Sequence, residues 1–178
     1  MSKYNINLFS IPSTVLRVLL TPRKFFRGMH RKGGIIGPLV FMIVMGIFSG
    51  LIEAAINILR FKILDGIGKV VTTVLFVPVK VGLFGFVVAL VLLIIWRVMG
   101  SRQSYETSYR CVASMSVLMP VMTVISRVPY WGGLAEIAIF VFFIVIVSEE
   151  VHEIPPTRAW LVFGILGLAL AMMYQHRP

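Results

Sequence analysis

Charge is scarce in this sequence, and negative charge is scarcest. Only 13% of the 178 residues are charged, and 7 Asp and Glu stand against 17 Lys and Arg. A soluble domain of this size has about a quarter of its residues charged. The chain therefore has too little polar surface to cover a water-soluble globule, and an ordinary soluble protein is excluded.

Cysteine and the common catalytic motifs are also lacking. Cys111 is the only cysteine, so an intrachain disulfide is excluded. There is no His-Glu-x-x-His, Gly-x-Ser-x-Gly, Walker A or Gly-x-Gly-x-x-Gly motif. No basic stretch is interleaved with aromatic residues in a pattern typical of nucleic-acid binding. We therefore expect a protein that is not an enzyme, needs no cofactor and binds no nucleic acid.

Hydrophobic residues are abundant instead, at 58% of the chain with a mean hydropathy of +0.95. Apolar runs of roughly 20 residues recur, and each can cross about 30 Å of hydrocarbon as a helix. The runs do not alternate as strands do. The sequence predicts an all-α, polytopic transmembrane helix bundle of five spans, the third of which contains Pro120 and is expected to kink. The predicted spans are Ile35–Leu59, a segment within Val70–Trp96, Cys111–Arg127, Leu134–Val147 and Arg158–Tyr174.

The first 32 residues differ from the rest because they alternate apolar and basic side chains. This pattern predicts a basic amphipathic tail at 1–32 with interfacial helices, followed by a transmembrane domain at 33–178. Ser13 is predicted to cap one short helix, and Thr21 another that begins at Pro22. We expect anionic lipid headgroups as the partner of the tail. Because basic residues concentrate there and in the connection Arg97–Arg110, the N-terminus is predicted to be cytoplasmic and the C-terminus outside.

Glycines in two spans offer close-packing surfaces. Gly46 and Gly50 form a Gly-x-x-x-Gly pair in the first span, and Gly164 and Gly167 lie in the fifth. Glycine lets a neighbouring helix approach closely. These faces could serve a homo-oligomer or pack within one protomer, and the sequence leaves both open.

Ionisable side chains within spans are costly and by default suggest function. Glu53 and Asn57 share a helical face with the first glycine pair. Lys80 in the second span and Glu136 at the start of the fourth fall in the same third of the bilayer. We predict that Lys80 pairs with Glu53 or Glu136 in an intramembrane polar cluster. The alternative is structural, with the glutamates near the interface and Lys80 extending its ammonium towards water.

A second acidic group lies in the segment SEEVHEIPP. Glu149, His152 and Glu153 share one face if the fourth helix continues that far. Glu-x-x-His is half of the di-iron motif of helix bundles, but the chain has no second copy. A divalent-metal site and a solvated loop beside the headgroups are the two interpretations.

From Pro78 onward the sequence resembles the Yip1-domain family. The segment PVKVGLFGFVVALVLLIIWRVMGSRQSYETSYRCVAS resembles that family's second span, Gly-rich turn and the start of its third span. TPRKFF resembles its N-terminal Pro-aromatic segment. The other matching residues are Gly100, Ser101, Tyr105, Arg110, Ala113, Pro129, Gly132, His152, Arg158 and Ala159.

This resemblance implies a five-span membrane protein with a cytoplasmic N-terminus that acts through helix-mediated association or membrane organisation and trafficking. Eukaryotic relatives bind Rab-type GTPases, many through a longer N-terminal region, so GTPase binding is not expected of this chain. Its compactness is typical of the prokaryotic branch, which implies the inner (cytoplasmic) membrane. The alternative function is a small transporter or ion channel that uses the intramembrane polar cluster.

Overall fold

The chain folds into a bundle of helices. The structure, a computed structural model, describes residues 11–60 and 63–176, and within them every regular element is a helix. The all-α fold expected from the sequence is therefore confirmed. The helices are α1 (Ile11–Leu20), α2 (Pro22–Arg27), α3 (Ile36–Arg60), α4 (Ile63–Val98), α5 (Tyr105–Met115), α6 (Leu118–Ile125), α7 (Gly132–Glu150) and α8 (Pro156–Gln175).

Four of these helices are long and apolar enough to cross a membrane. The helices α5 and α6 together form a fifth candidate, which is bent by 46°. The predicted five spans agree with the structure when this bent pair is counted as one broken span. The candidate spans of single helices are Ile36–Leu59, Phe76–Val98, Gly132–Glu150 and Pro156–Gln175.

Pro120 explains the bend in the third span. It has no N–H to donate to the carbonyl of Ser116, and its ring crowds that carbonyl. Ser116 and Val117 are the two residues that separate α5 from α6. The Ser116 carbonyl instead accepts a hydrogen bond from the N–H of Met119 at 3.0 Å, which tightens the turn. The expected kink is confirmed, and it lies one turn before the proline.

Two boundaries predicted in the membrane domain are wrong. The segment Arg60–Lys69 separates the first two predicted spans and was expected to be a turn, but α4 already begins at Ile63. The fourth span was expected to end at Val147, with a loop from Ser148, but α7 continues to Glu150. Polar residues in sequence suggested loops, whereas the hydrogen bonds and ion pairs described below keep the end of α7 helical.

The tail helices also differ in detail from the prediction. Ser13 lies inside α1, which begins at Ile11, so it is not the cap. Thr21 does occupy the cap position of α2, but its side chain forms no capping hydrogen bond. Its hydroxyl donates instead to the carbonyl of Arg17 at 3.2 Å, which joins α2 to the last turn of α1.

Packing defines two ends of the bundle. The long helices α3 and α4 lie side by side, α7 packs on α8, and α2 packs on α7. We call the end where α2, the α4–α5 loop and the α7–α8 loop meet the loop end, and the opposite end the far end. The largest fully buried side chains concentrate towards the loop end and include Val18 and Phe26 of the tail. They are Trp96, Tyr109, Phe26, Ile144, Ile146, Val18, Val117, Val145, Val147, Val151, Thr107 and Cys111.

Candidate functional site

A buried polar core occupies the loop end. Trp96, in the last turn of α4, is fully buried and donates its indole N–H to the Ser148 hydroxyl at 2.8 Å. The Ser148 hydroxyl donates in turn to the Ile144 carbonyl at 2.7 Å. The Trp96 ring stacks on the His152 imidazole, with ring centroids 3.7 Å apart and an angle of 22°. Two loops and two spans are thus joined through one aromatic pair.

Ser101 fixes the position of His152. Gly100 adopts φ +102° after α4, a left-handed conformation that glycine tolerates and that turns the chain sharply. The Ser101 N–H then bonds back to the Trp96 carbonyl at 2.9 Å. The Ser101 hydroxyl and His152 Nδ1 are 2.8 Å apart and share a hydrogen bond. The Gly-Ser turn therefore holds the imidazole against Trp96.

Burial keeps His152 neutral. Desolvation, with a smaller contribution from the Arg31 charge, lowers the pKa of His152 to about 3. Its Nε2 is buried and lacks a hydrogen-bond partner within the described part of the chain. A neutral imidazole with one unpaired nitrogen can be buried at lower cost than a charged imidazolium.

Stability is expected to fall as the pH drops from about 6.5 towards 3. The unfolded chain, whose histidine has a pKa near 6.5, takes up a proton in this range while folded His152 does not. The free energy of unfolding should decline by up to about 1.4 kcal/mol per pH unit on this account. Unfolding in detergent micelles between pH 5 and 7.5 measures it. His152→Gln should flatten the profile, whereas His30→Gln, at an exposed position, should not; equal slopes would contradict the assignment.

Arginines of the tail pair with glutamates at the end of α7. Arg23 lies 2.9 Å from Glu149 and 3.6 Å from Glu150. Arg27 binds Glu150 through two nitrogens, at 2.8 and 3.1 Å. The Glu150 carboxylate raises the pKa of Arg27 through this hydrogen bond and its charge. The glutamate side chains are only 8% exposed, so these contacts neutralise carboxylates that would otherwise be buried charges. We call these contacts, with that between Arg31 and Glu153 at 2.8 Å, the tail clamp.

The linker between α2 and α3 is also fixed, by α5. Gly33 and Gly34 both have positive φ and donate their N–H groups to the same carboxylate oxygen of Glu106. Two successive N–H groups in such a turn form an anion-binding concavity. Thr107 adds a hydrogen bond from its hydroxyl to the Arg31 carbonyl at 3.0 Å. The tail is therefore attached to the bundle at both α5 and α7.

The far end holds the other predicted polar residues, but the predicted pairing is wrong. Glu53 lies 3.5 Å from Arg127, which follows α6, and not beside Lys80. Among the described side chains no carboxylate pairs with Lys80. Glu136 is half-buried near the start of α7 and forms no ion pair with a described residue. Glu53 pairs with Arg127 and not with Lys80, because the bend and the short α6 bring the start of the next loop back towards α3.

Other polar residues at the far end extend this group. Ser49 and Thr123 join α3 to α6 through a hydroxyl–hydroxyl hydrogen bond of 2.5 Å. Asn57 is half-buried, one helical turn beyond Glu53. A functional role for Glu53, Asn57, Lys80 and Glu136 stays a prediction.

The predicted packing glycines divide into two kinds. A Cβ on Gly46 would lie 3.0 Å from the Pro78 Cα, and one on Gly167 would lie 2.7 Å from Val141 Cγ2. Gly50 is buried as well. These three lie within the folded protomer. A Cβ on Gly164 would meet nothing within 4 Å, so this glycine faces open space.

The residues of the predicted metal site do not converge. Glu149 and Glu153 face arginines of the tail clamp, and the His152 ring lies between Trp96 and Ser101. Across residues 11–60 and 63–176, no group of three His, Cys, Asp or Glu side chains could hold a metal ion. The spacing of these residues serves tail attachment because Glu149 and Glu153 face the tail, whereas His152 faces Trp96.

Several residues of the loop end were not singled out from the sequence. The basic residues of the tail were predicted to bind anionic lipid headgroups, and Trp96 was identified only as the end of the second predicted span. A signal was present, since buried glutamates at the end of an apolar helix require cationic partners. Which cations reach these glutamates depends on how the tail folds back onto α7. The two segments are more than a hundred residues apart in the sequence.

The apolar spans and the closed loop end define an integral membrane protein with several transmembrane helices, in contact with the lipid bilayer. No curated protein and no solved structure matches the chain. The sequence model of one family, the Yip1 domain, does match, over residues 16–175. The chain therefore belongs to the Yip1 family, a family of non-enzymatic membrane proteins, as the resemblance predicted.

Proposed function

We propose that this protein is a non-enzymatic organiser of the membrane that associates with other transmembrane helices through α8. The observation that carries the proposal is the position of Gly164 on a helix at the edge of the bundle. The helix α8 packs mainly on α7, and only 17% of its most apolar 18-residue stretch is buried within the protomer. Because lipid is as apolar as leucine, helices associate in membranes where small residues allow close contact.

The tail contributes a second contact with the membrane. Residues 1–32 are proposed to form a unit at the cytoplasmic face, with the C-terminus outside and the protein in a prokaryotic inner membrane. The tail clamp uses Arg23, Arg27 and Arg31, while Arg17 and Lys24 remain exposed beside exposed Leu16 and Leu20. Cations next to apolar side chains suit an interface of anionic headgroups. The tail thus combines attachment to the bundle with attraction to lipid.

Gly164→Leu is expected to weaken association between copies. A leucine at this position fills open space that a second helix would occupy, and its Cβ meets no atom of the protomer within 4 Å. We expect the dissociation constant to rise about tenfold, equivalent to about 1.4 kcal/mol. Energy transfer between donor-labelled and acceptor-labelled protein in liposomes, measured over a range of protein-to-lipid ratios, gives this constant.

Ala138→Leu is the matched control, since Ala138 is a small exposed residue on the neighbouring span α7. It should leave energy transfer unchanged. Transfer that is insensitive to both substitutions, or absent in the wild type at high protein density, would contradict association through α8. The same vesicles loaded with ions and small solutes test the transporter alternative: flux that disappears in Glu53→Gln and Lys80→Met would replace the proposed function.

A further inference from the structure

A cavity of about 290 Å³ lies between α4 and the bent pair α5–α6. Ligand pockets begin at about this size. Its wall includes Ser116, Leu118 and Met119, which lie at the bend, so the break caused by Pro120 helps to form the cavity. Apart from Lys80 and Ser116, every lining side chain is apolar or glycine. Such a lining suits hydrocarbon and not a polar solute.

Lys80 is the one charged residue in this lining, and it is exposed. It precedes the end of α4 at Val98 by about 27 Å along the helix axis, which is close to the hydrocarbon thickness of about 30 Å, so it lies near the opposite interface. No carboxylate among the described residues pairs with it. A lone ammonium at this depth is costly unless it reaches water or an anionic headgroup at the interface. The charge therefore favours a negative group at the membrane surface.

The cavity is long enough along α4 for an acyl chain. Its lining on α4 runs from Lys80 to Leu92, about 18 Å at 1.5 Å per residue. One leaflet of hydrocarbon is about 15 Å thick, half of a bilayer core of about 30 Å. Four methionines line the cavity, and their flexible thioethers adapt to an irregular partner. These are Met42, Met115, Met119 and Met122.

We propose that this cavity binds an acyl chain of a membrane phospholipid whose anionic headgroup pairs with Lys80. The cation fixes the headgroup at the span end, and the apolar wall takes the chain towards the middle of the bilayer. This site is independent of the association face on α8, because none of its lining residues belongs to that helix.

Native mass spectrometry tests the site on the full chain. Purified protein is mixed with equal amounts of phosphatidylglycerol and phosphatidylcholine that carry the same acyl chains. The wild type should retain phosphatidylglycerol severalfold over phosphatidylcholine. Lys80→Met should abolish this preference, while Lys80→Arg keeps the charge and should preserve it. Val88→Phe, which fills the cavity, should remove the retained lipid, while Val87→Phe on the exposed side of α4 should not.

A second measurement holds even where a variant fails to fold. Phosphatidylglycerol with a photoreactive group in one acyl chain should label peptides of α4, α5 and α6 in the wild-type protein. Labels confined to other helices would overturn the proposal. It would equally be overturned if Lys80→Met retained phosphatidylglycerol as well as the wild type does, or if phosphatidylcholine were retained equally.

Discussion

Glu150→Arg is expected to release α2 from the end of α7. The substitution places a third cation beside Arg23 and Arg27, both of which now bind Glu150. Two attractive contacts of the tail clamp are thereby replaced by repulsion between like charges. The Glu150 side chain is only 8% exposed, so water screens charges at this position weakly. Backbone amides of α2 should then exchange with deuterium faster, on the order of tenfold or more, because losing a charged hydrogen bond favours local opening. Hydrogen–deuterium exchange in detergent micelles measures this directly.

Two further variants separate the ion pair from a general loss of fold. Arg27→Glu combined with Glu150→Arg restores one opposite-charge contact and should slow the exchange again, in part, since Arg23 stays close. Glu153→Gln removes a carboxylate that is 67% exposed and pairs with Arg31. Exposed pairs contribute about 0–1 kcal/mol, so this variant should behave almost as the wild type. If Glu150→Arg left the exchange of α2 unchanged, the tail clamp would not hold the tail.

Trp96→Ala is expected to be the most destabilising single change in the loop end. The side chain is fully buried, stacks on His152 and donates to Ser148. Truncation of a buried tryptophan costs about 3–5 kcal/mol, because a large cavity remains. The midpoint of chemical or thermal unfolding in micelles should fall accordingly, and the buried His152 should become accessible to solvent.

A graded series tests which contact matters. Trp96→Phe keeps an aromatic ring against His152 but removes the hydrogen bond, and should cost only about 1 kcal/mol. Trp160→Ala is the control on α8, where the tryptophan is 48% exposed, and it should have a small effect. A Trp96→Ala protein as stable as the Trp160→Ala protein would show that the aromatic pair does not join the two loops.

The sequence predicted the spans and the bend correctly, but not the ion pair of Glu53. The apolar runs predicted the spans, because a segment of about 20 apolar residues has few alternatives in a membrane. Pro120 predicted the bend, because the loss of a backbone donor is a local property. The partner of Glu53 was mispredicted, because an ion pair depends on which side chains the bend brings near. Arg127 lies after the bend, and its approach to α3 is a consequence of the tertiary path.

Hydropathy and charge were enough to predict an all-helical membrane protein of this family with a basic tail, since both act locally along the chain. The contacts of the polar residues became evident only in the folded bundle. It brought Arg23 and Arg27 to Glu149 and Glu150, placed His152 between Trp96 and Ser101, and left Lys80 beside an apolar cavity. Contacts between distant segments depend on how the helices pack, and this packing is set by the whole bundle at once and not by any one stretch of residues.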